Sequence, residues 1–406
     1  MSSRQQRRKR QRKRAAARTL RVGAGALALT LIPAAAAQAE TITVKSLNDT
    51  GPGTLRAAIT QADTDPRDTS PAKADLIIFA SRLSGSIDLT TPLPAVTDSI
   101  DLHGPGARTI TIDAKSIAHD THPTLYDTTS GTELTVVGLS FIDATQQEGS
   151  FIYGTHVTLT LDGDSFAHGS AGENGGAIYA GSGSLTVNDC TFAHNFAGAF
   201  GGAIQTWESK LKIEDSTIAD NAAGAGGGGL SSYRPDATVI ASTITGNSVT
   251  YAGSGDFGYG GGIDFLGGTL LLEDSIVAEN TATGNPAIAF PKYGSRHRDI
   301  FIYEGTELTA KFSLIQNDTD SLPGFKANST DITGKSPDLG PLRDNGGSVN
   351  TESPLSKSPV INAGQRFGLK ADQRGLKRTV DYPGVKKRRG SDGTDVGAVE
   401  LQGPHR

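Results

Sequence analysis

The stretch Gly175–Ile204 reads GGAIYAGSGSLTVNDCTFAHNFAGAFGGAI, and its two ends are the same four residues. The phrase returns as GGGL at Gly227–Leu230 and GGGI at Gly260–Ile263, which spaces the apolar anchors Ile178, Ile204, Leu230 and Ile263 by 26, 26 and 33 residues. A fixed period of this size is the sequence mark of a solenoid, in which each repeat buries its apolar face against its neighbours. Other columns keep the same spacing. Leu185-x-Val187, Leu211-x-Ile213, Thr238-Val239 and Leu270-x-Leu272 make a strand column. Cys190, Ser216, Ser242 and Ser275 make a small-residue column, followed by Phe192, Ile218, Ile244 and Val277. Three residues further on stand Asn195, Asn221, Asn247 and Asn280. Phe166 precedes Phe192 by 26 residues and Ile315 follows Val277 by 38, so the period extends beyond the obvious repeats.

Short alternating runs ending in Gly, Asn or Asp predict a parallel coil of three short strands per turn, successive turns pairing at about 4.8 Å. Gly supplies positive φ at tight corners. The Asn column is expected to form a buried ladder that satisfies corner backbone groups. A propeller needs blades of about 40–45 residues, and a leucine-rich repeat would show a leucine pattern that is absent. The fold class is therefore all-β: a right-handed parallel β-helix, its hand set by the crossover preference of parallel strands. Ahead of it, TLRAAITQA at Thr54–Ala62 places Leu55, Ala58, Ile59 and Ala62 at helical spacing behind a capping Thr, a short helix suited to cover the first rung. Pro354, Pro359 and Pro383 mark a loop-rich C-terminal cap.

Met1–Arg21 carries ten Lys or Arg and no acid, an apolar stretch follows from Val22 to Ile32, and Ala37-Gln38-Ala39 has the A-x-A form of a cleavage site. This is the layout of an export signal. Its removal takes ten of the 38 basic residues and none of the 43 acids, leaving 28 against 43, a formal charge of −15. So acidic a chain is a poor partner for nucleic acid, whose affinity rests on neutralising phosphates. The single Cys excludes an internal disulfide, so stability comes from burial. The expectation is a secreted or cell-surface protein with no transmembrane span after signal cleavage.

GGAI followed by Phe192-Ala193-His194-Asn195 resembles the repeats of polymorphic outer-membrane proteins and of bacterial β-helix proteins of the pectin-lyase-like class. The segment Ser336–Val399, with SPDLGPLRDNGG, SKSPVINAG, ADQRG and DVGAVE, resembles the choice-of-anchor Q module of exported β-helix proteins. GPGTLRAAI at Gly51–Ile59 is similar to the entry segment of the same proteins. The resemblance implies an extracellular right-handed β-helix, usually of unassigned activity. The expected organisation is a signal peptide over 1–39, a strand and capping helix over 40–74, the β-helix over 75–335 and the choice-of-anchor Q-like cap over 336–406.

Residues one period apart become neighbours on adjacent turns, which selects three constellations. Trp207 and Tyr233, 26 apart, with Lys210, Arg234 and Asp236 nearby, offer adjacent aromatic faces with polar flanks, suited to sugar rings. The insertion YAGSGDFGY at Tyr251–Tyr259 accounts for the longer turn and makes Tyr251 and Tyr259 a candidate binding lip on one edge of the coil, or else a spacer. His168, His194 and Asp220 share a column and form a candidate metal or proton-exchange set, weighed against a plain polar column because no fourth ligand is visible. Asp189, Asp215 and Asp274, with Glu214 and Glu273 beside two of them, provide paired carboxylates, but Ala241 interrupts the column and Asp after a strand is ordinary turn chemistry. The paired aspartates, Gly-His-Gly and Arg-Ile-Lys of polygalacturonases are not found, nor is a lyase pattern of clustered Asp with a catalytic Arg. Lys370–Arg389 holds eight Lys or Arg against two Asp and reads more as a solvated loop than as a contact for anionic glycan. No catalytic residue and no cofactor is assigned. The function these residues favour is a binding or adhesion module for extracellular polysaccharide or cell-surface glycan, with a polysaccharide lyase or glycoside hydrolase as the alternative.

Overall fold

The computed structural model describes residues 39–64, 74–118, 122–250, 259–283, 299–303, 305–317, 322 and 324–403. Residues 1–38 of the expected signal peptide over 1–39, and Tyr251, lie outside the described residues. The chain forms a right-handed parallel β-helix whose strands stack into four sheets. One turn runs through Ile178–Gly181 in sheet C, Ser184–Asn188 in sheet A, Thr191–Ala193 in sheet B and Phe196–Ala197 in sheet D before the next GGAI begins. Among the described residues, sheets A and B hold ten strands each, C seven and D six.

The anchors pair as their spacing requires: Ile178 with Ile204, Ile204 with Leu230, and Leu230 with Ile263. Phe166, Phe192, Ile218, Ile244, Val277 and Ile315 are likewise in register through sheet B. They point inward and are fully buried. Phe141, Phe166 and Phe192 stack in this column, with ring centres 5.1 and 4.9 Å apart. In sheet A the third rung uses Ala237 and Val239 where Thr238 and Val239 were expected, because alternation turns Thr238 outward.

Among the described residues, the six turns from Leu125 to Thr283 have four short strands each, not three. The reason is a single left-handed residue at each of three corners. Asp189, Asp215, Ala241 and Asp274 turn sheet A into sheet B at φ 43–52°, and His168, His194 and Asp220 turn B into D at φ 56–59°. Ser182, Glu208 and Arg234 turn C into A at φ 48–53°. Short polar side chains tolerate this conformation better than most, and the repetition marks it as the geometry of the coil. The fourth corner needs glycine. Gly175 has φ 65°, and a Cβ there would lie 2.3 Å from the Ile178 carbonyl; one on Gly176 would lie 2.0 Å from the Gly202 carbonyl of the next rung. The GG of the motif is thus fixed by conformation at its first position and by rung packing at its second.

Thr54 caps α1 (Leu55–Asp63), its side chain accepting from the Ala57 N–H, and Leu55, Ala58, Ile59 and Ala62 are buried against the first rungs. The Asn column is a continuous ladder. Asn195 Nδ2 donates to Asn221 Oδ1, Asn221 Nδ2 to Asn247 Oδ1 and Asn247 Nδ2 to Asn280 Oδ1, at 2.9–3.0 Å. Asp299 ends it by accepting from the side-chain amides of Asn280 and Asn317. The small-residue column is a second ladder: the Ser216, Ser242, Ser275 and Ser313 hydroxyls each accept the N–H of the preceding member, and Asp331 accepts from Ser313.

The segment from Ser336 onward contains no strand among the described residues, only isolated antiparallel bridges. It runs along the outer face of sheet B. Val360, Ala363 and Val396 pack on Ile276, Ala278, Leu314 and Ile332 as a second apolar core outside the coil. Gln373 donates to the Cys190 carbonyl and accepts from Thr217, and Arg108 donates to the Val349 carbonyl. The C-terminal segment therefore covers rungs far from the end of the coil.

Candidate functional site

Sheet C alternates strictly, so its second and fourth positions face outward. The second positions run Tyr126, Tyr153, Tyr179, Gln205, Ser231, Asp264 and Phe301 on consecutive rungs. The fourth positions include Gly181, Trp207, Tyr233 and Leu266. The sequence pair Trp207 and Tyr233 is thereby brought together: the rings stack with centres 4.2 Å apart at 23°. Trp207 is 44% exposed. Its register partner on the preceding rung is Gly181, which has no side chain of its own and lies beside the Tyr179 ring and the Thr155 methyl. Arg234 sits 5.0 Å from the Tyr233 ring centre and pairs with Glu208 at 3.1 Å. Both partners of that pair are largely exposed, so it orients the arginine more than it stabilises the fold. Lys210 and Asp236 lie on the outer face of sheet A, past the corner.

Two residues inward along the same strands, Gln205, Ser231 and Asp264 are buried although they face outward. Phe200, Gly226 and Tyr259 form a bridged ladder over this end of the face. A Cβ on Gly226 would stand 2.4 Å from an Asp264 oxygen, so the bare glycine lets the chain cross close above Asp264. Tyr259 stacks on Phe301 at 4.3 Å. It thus belongs to this face, on the rungs beyond the Trp207–Tyr233 platform. Neither Asp264 oxygen nor Gln205 Oε1 has a hydrogen-bond partner of ordinary geometry. Burial pushes the Asp264 carboxyl up to about 8, with the Ser231 hydroxyl pulling the other way. The acid is accordingly held neutral at pH 7. Neither Gln205 nor Asp264 is distinguishable in the sequence by type; only their column, out of step with the tyrosines before them, marks them.

His168, His194 and Asp220 do share a corner column. The two imidazoles stack face to face, centres 5.4 Å apart at 14°. Their lone pairs lie in the ring planes, side by side, and do not converge on a point between the rings. Among the described residues no three His, Cys, Asp or Glu side chains form a group suited to a metal ion.

The corner carboxylates meet a partner that the periodicity could not supply. Arg378 is completely buried and spans two rungs, donating from Nη2 to Asp215 at 2.7 Å and from Nη1 to Asp274 at 3.3 Å. Ala241 stands on the rung between them, so the guanidinium bridges Asp215 and Asp274 across it. The interruption of the column is where the guanidinium lies. The expectation of a solvated basic loop over Lys370–Arg389 therefore fails at its centre: Arg374 is 8% exposed and pairs with the buried Asp372 at 2.7 Å. Burial first, then the neighbouring Asp215, pushes Asp189 up to about 7. Asp215 is also raised to about 7 by burial, with Arg378 opposing.

Residues 106–285 match the family model described as right handed beta helix region. The crystal structure of pectate lyase Pel9A is similar to the chain with a TM-score of 0.40 and 14% sequence identity, covering 91% of this chain and 98% of that one. Comparison with curated proteins finds no match. Among the described residues no helix is long and apolar enough to cross a membrane.

Proposed function

We infer that this β-helix is a binding module for extracellular polysaccharide, and that the outer face of sheet C is where the glycan lies. The observation that carries the inference is the Trp207 ring: 44% exposed, backed on one face by Tyr233 at 4.2 Å, and facing Gly181 on the other. A half-exposed, backed indole stacks well on the apolar face of a sugar, while Arg234 and Glu208 at its edge can exchange hydrogen bonds with hydroxyls. Tyr259 extends the face, and Tyr251 belongs to the same proposal as a lip residue. Signal-like residues 1–39 and the resemblance of Ser336–Val399 to a choice-of-anchor Q module support secretion or surface display.

Binding is favoured over lyase or hydrolase chemistry because Asp215 and Asp274, the paired carboxylates nearest to a catalytic set, are engaged by Arg378. The test is to incubate the protein with a panel of neutral and uronic-acid polysaccharides and follow both retention and product formation. Retention that Trp207→Ala abolishes, without new reducing ends or unsaturated products, is the expected result. Turnover of any member of the panel overturns the binding-only assignment, and retention unchanged in Trp207→Ala removes the platform.

A further inference from the structure

At the other end of the sheet C face, Tyr126 and Tyr153 are register partners on adjacent rungs. Each ring stacks on a different neighbour. Tyr126 stacks on His122 with centres 4.5 Å apart, and Tyr153 on Tyr179 with centres 4.9 Å apart. A cavity of about 310 Å³ is lined by both tyrosines, His122, Pro123, Gln147 and Glu148. Among the described residues its lining includes one carboxylate and no Lys or Arg. Asn174 donates to Glu148 Oε1 at 3.0 Å, which tethers this lining carboxylate. Gln147 donates to Glu173 Oε1 at 2.7 Å, so a second acid stands at the rim. The field of Glu148 reaches the rings: after burial, it is the cause that raises the Tyr153 and Tyr179 phenols.

Aromatic faces carry negative charge at their centres, and a cation within about 6 Å of a ring is attracted, more so when it is desolvated. Two tyrosines and an anchored carboxylate around a cavity at the small end of ligand pockets, about 300 Å³, match a compact organic cation. A sugar without charge would leave Glu148 without a counterpart, and an anionic one would be repelled by it. We propose that the cavity between Tyr126 and Tyr153 is a binding site for an organic ammonium group, with Glu148 as its counter-ion. The site stands on its own residues and does not depend on glycan binding at Trp207.

Choline and its neutral isostere 3,3-dimethyl-1-butanol separate charge from shape, and calorimetric or NMR titration of the full chain reads both. Choline is expected to bind about ten-fold or more tighter than the alcohol, equivalent to about 1.4 kcal/mol. Glu148→Gln, which keeps the acceptor for Asn174, is expected to remove most of that difference while leaving the alcohol's affinity unchanged. Tyr126→Ala is expected to weaken both ligands. A parallel titration with glucosamine separates the two sources of such a cation: tighter choline assigns a quaternary head group, and tighter glucosamine an amino sugar. Equal affinity for choline and the alcohol, no saturable binding of either cation at tens of millimolar, or a Glu148→Gln protein that binds choline as the wild type does would each overturn the site.

Discussion

Arg378 and Asp215 lie 163 positions apart in the chain and form a 2.7 Å pair in which the guanidinium is completely buried. The contact joins the C-terminal segment to the corner of the coil, and Asp274 completes it on the far side of Ala241. Removing one partner of a buried pair leaves uncompensated charge, at a typical cost of about 3–5 kcal/mol. Arg378→Met is expected to lower unfolding free energy by that order in denaturant titrations. The loss is expected to shrink below pH 7, because Asp215, raised to about 7, then takes a proton. A loss under 1 kcal/mol would mean that the apolar core of Val360, Ala363 and Val396 holds the segment without the pair.

Asp264 gives the clearest dependence on pH. Its folded pKa of about 8 stands above the usual carboxylate value, so the folded state keeps a proton that the unfolded state releases. Stability from this group is therefore full at pH 4 and below and is lost as pH rises to 8, at a limiting slope of about 1.4 kcal/mol per unit. Asp264→Asn removes the titration. The variant is expected to gain on the wild type steadily from pH 4 to pH 8 and to keep a constant lead above it, measured as melting temperature against pH. Parallel profiles for the two proteins would contradict a neutral Asp264.

Cutting the asparagine ladder in its middle tests whether it is a unit. Asn221→Ala deprives both the N–H and the side-chain amide of Asn195 of their acceptor. Each buried donor left unsatisfied costs about 1–3 kcal/mol, so a loss of about 3 kcal/mol is expected by denaturant unfolding. A substitution at exposed Lys212 is expected to cost little by comparison.

Trp207 is the sole tryptophan of the chain, so intrinsic fluorescence reports on the platform alone. A polysaccharide that stacks on it is expected to shift and saturate the emission. Trp207→Ala is expected to reduce affinity at least ten-fold while leaving stability within about 1 kcal/mol, as befits a half-exposed side chain. Binding with no change in emission would move the glycan away from this ring.

For the histidine column, the stacked geometry of His168 and His194 predicts that neither the wild type nor His194→Ala retains stoichiometric metal after purification. Elemental analysis decides it. Metal retained by the wild type and lost in the variant would assign a ligand role to His194.

Much of the coil was legible because its determinants are local and repeated. A rung stacks on the next at fixed register, so a 26-residue spacing is already a contact between Ile178 and Ile204 or between Trp207 and Tyr233. The asparagine column follows for the same reason. Three things escaped. The count of four strands per turn depends on which residues adopt left-handed φ, and Asp, His, Arg and Ala all do so here. Asp299 ends the ladder from 19 residues beyond Asn280, off the period. Burial of the outward-facing Asp264 comes from Gly226 crossing above it.

The sequence by itself determined a right-handed parallel β-helix, its register and its inward columns, because periodic apolar and asparagine positions admit one stacking. Only the tertiary structure decided where the unrepeated C-terminal segment lies. Nothing periodic links Arg378 to Asp215 and Asp274, or Gln373 to Cys190 and Thr217. Those contacts arise from burying the outer face of sheet B, a choice made by the complementary shape and charge of two distant stretches of chain. It turns the corner carboxylates into an anchor for the segment, on a face of the coil other than sheet C.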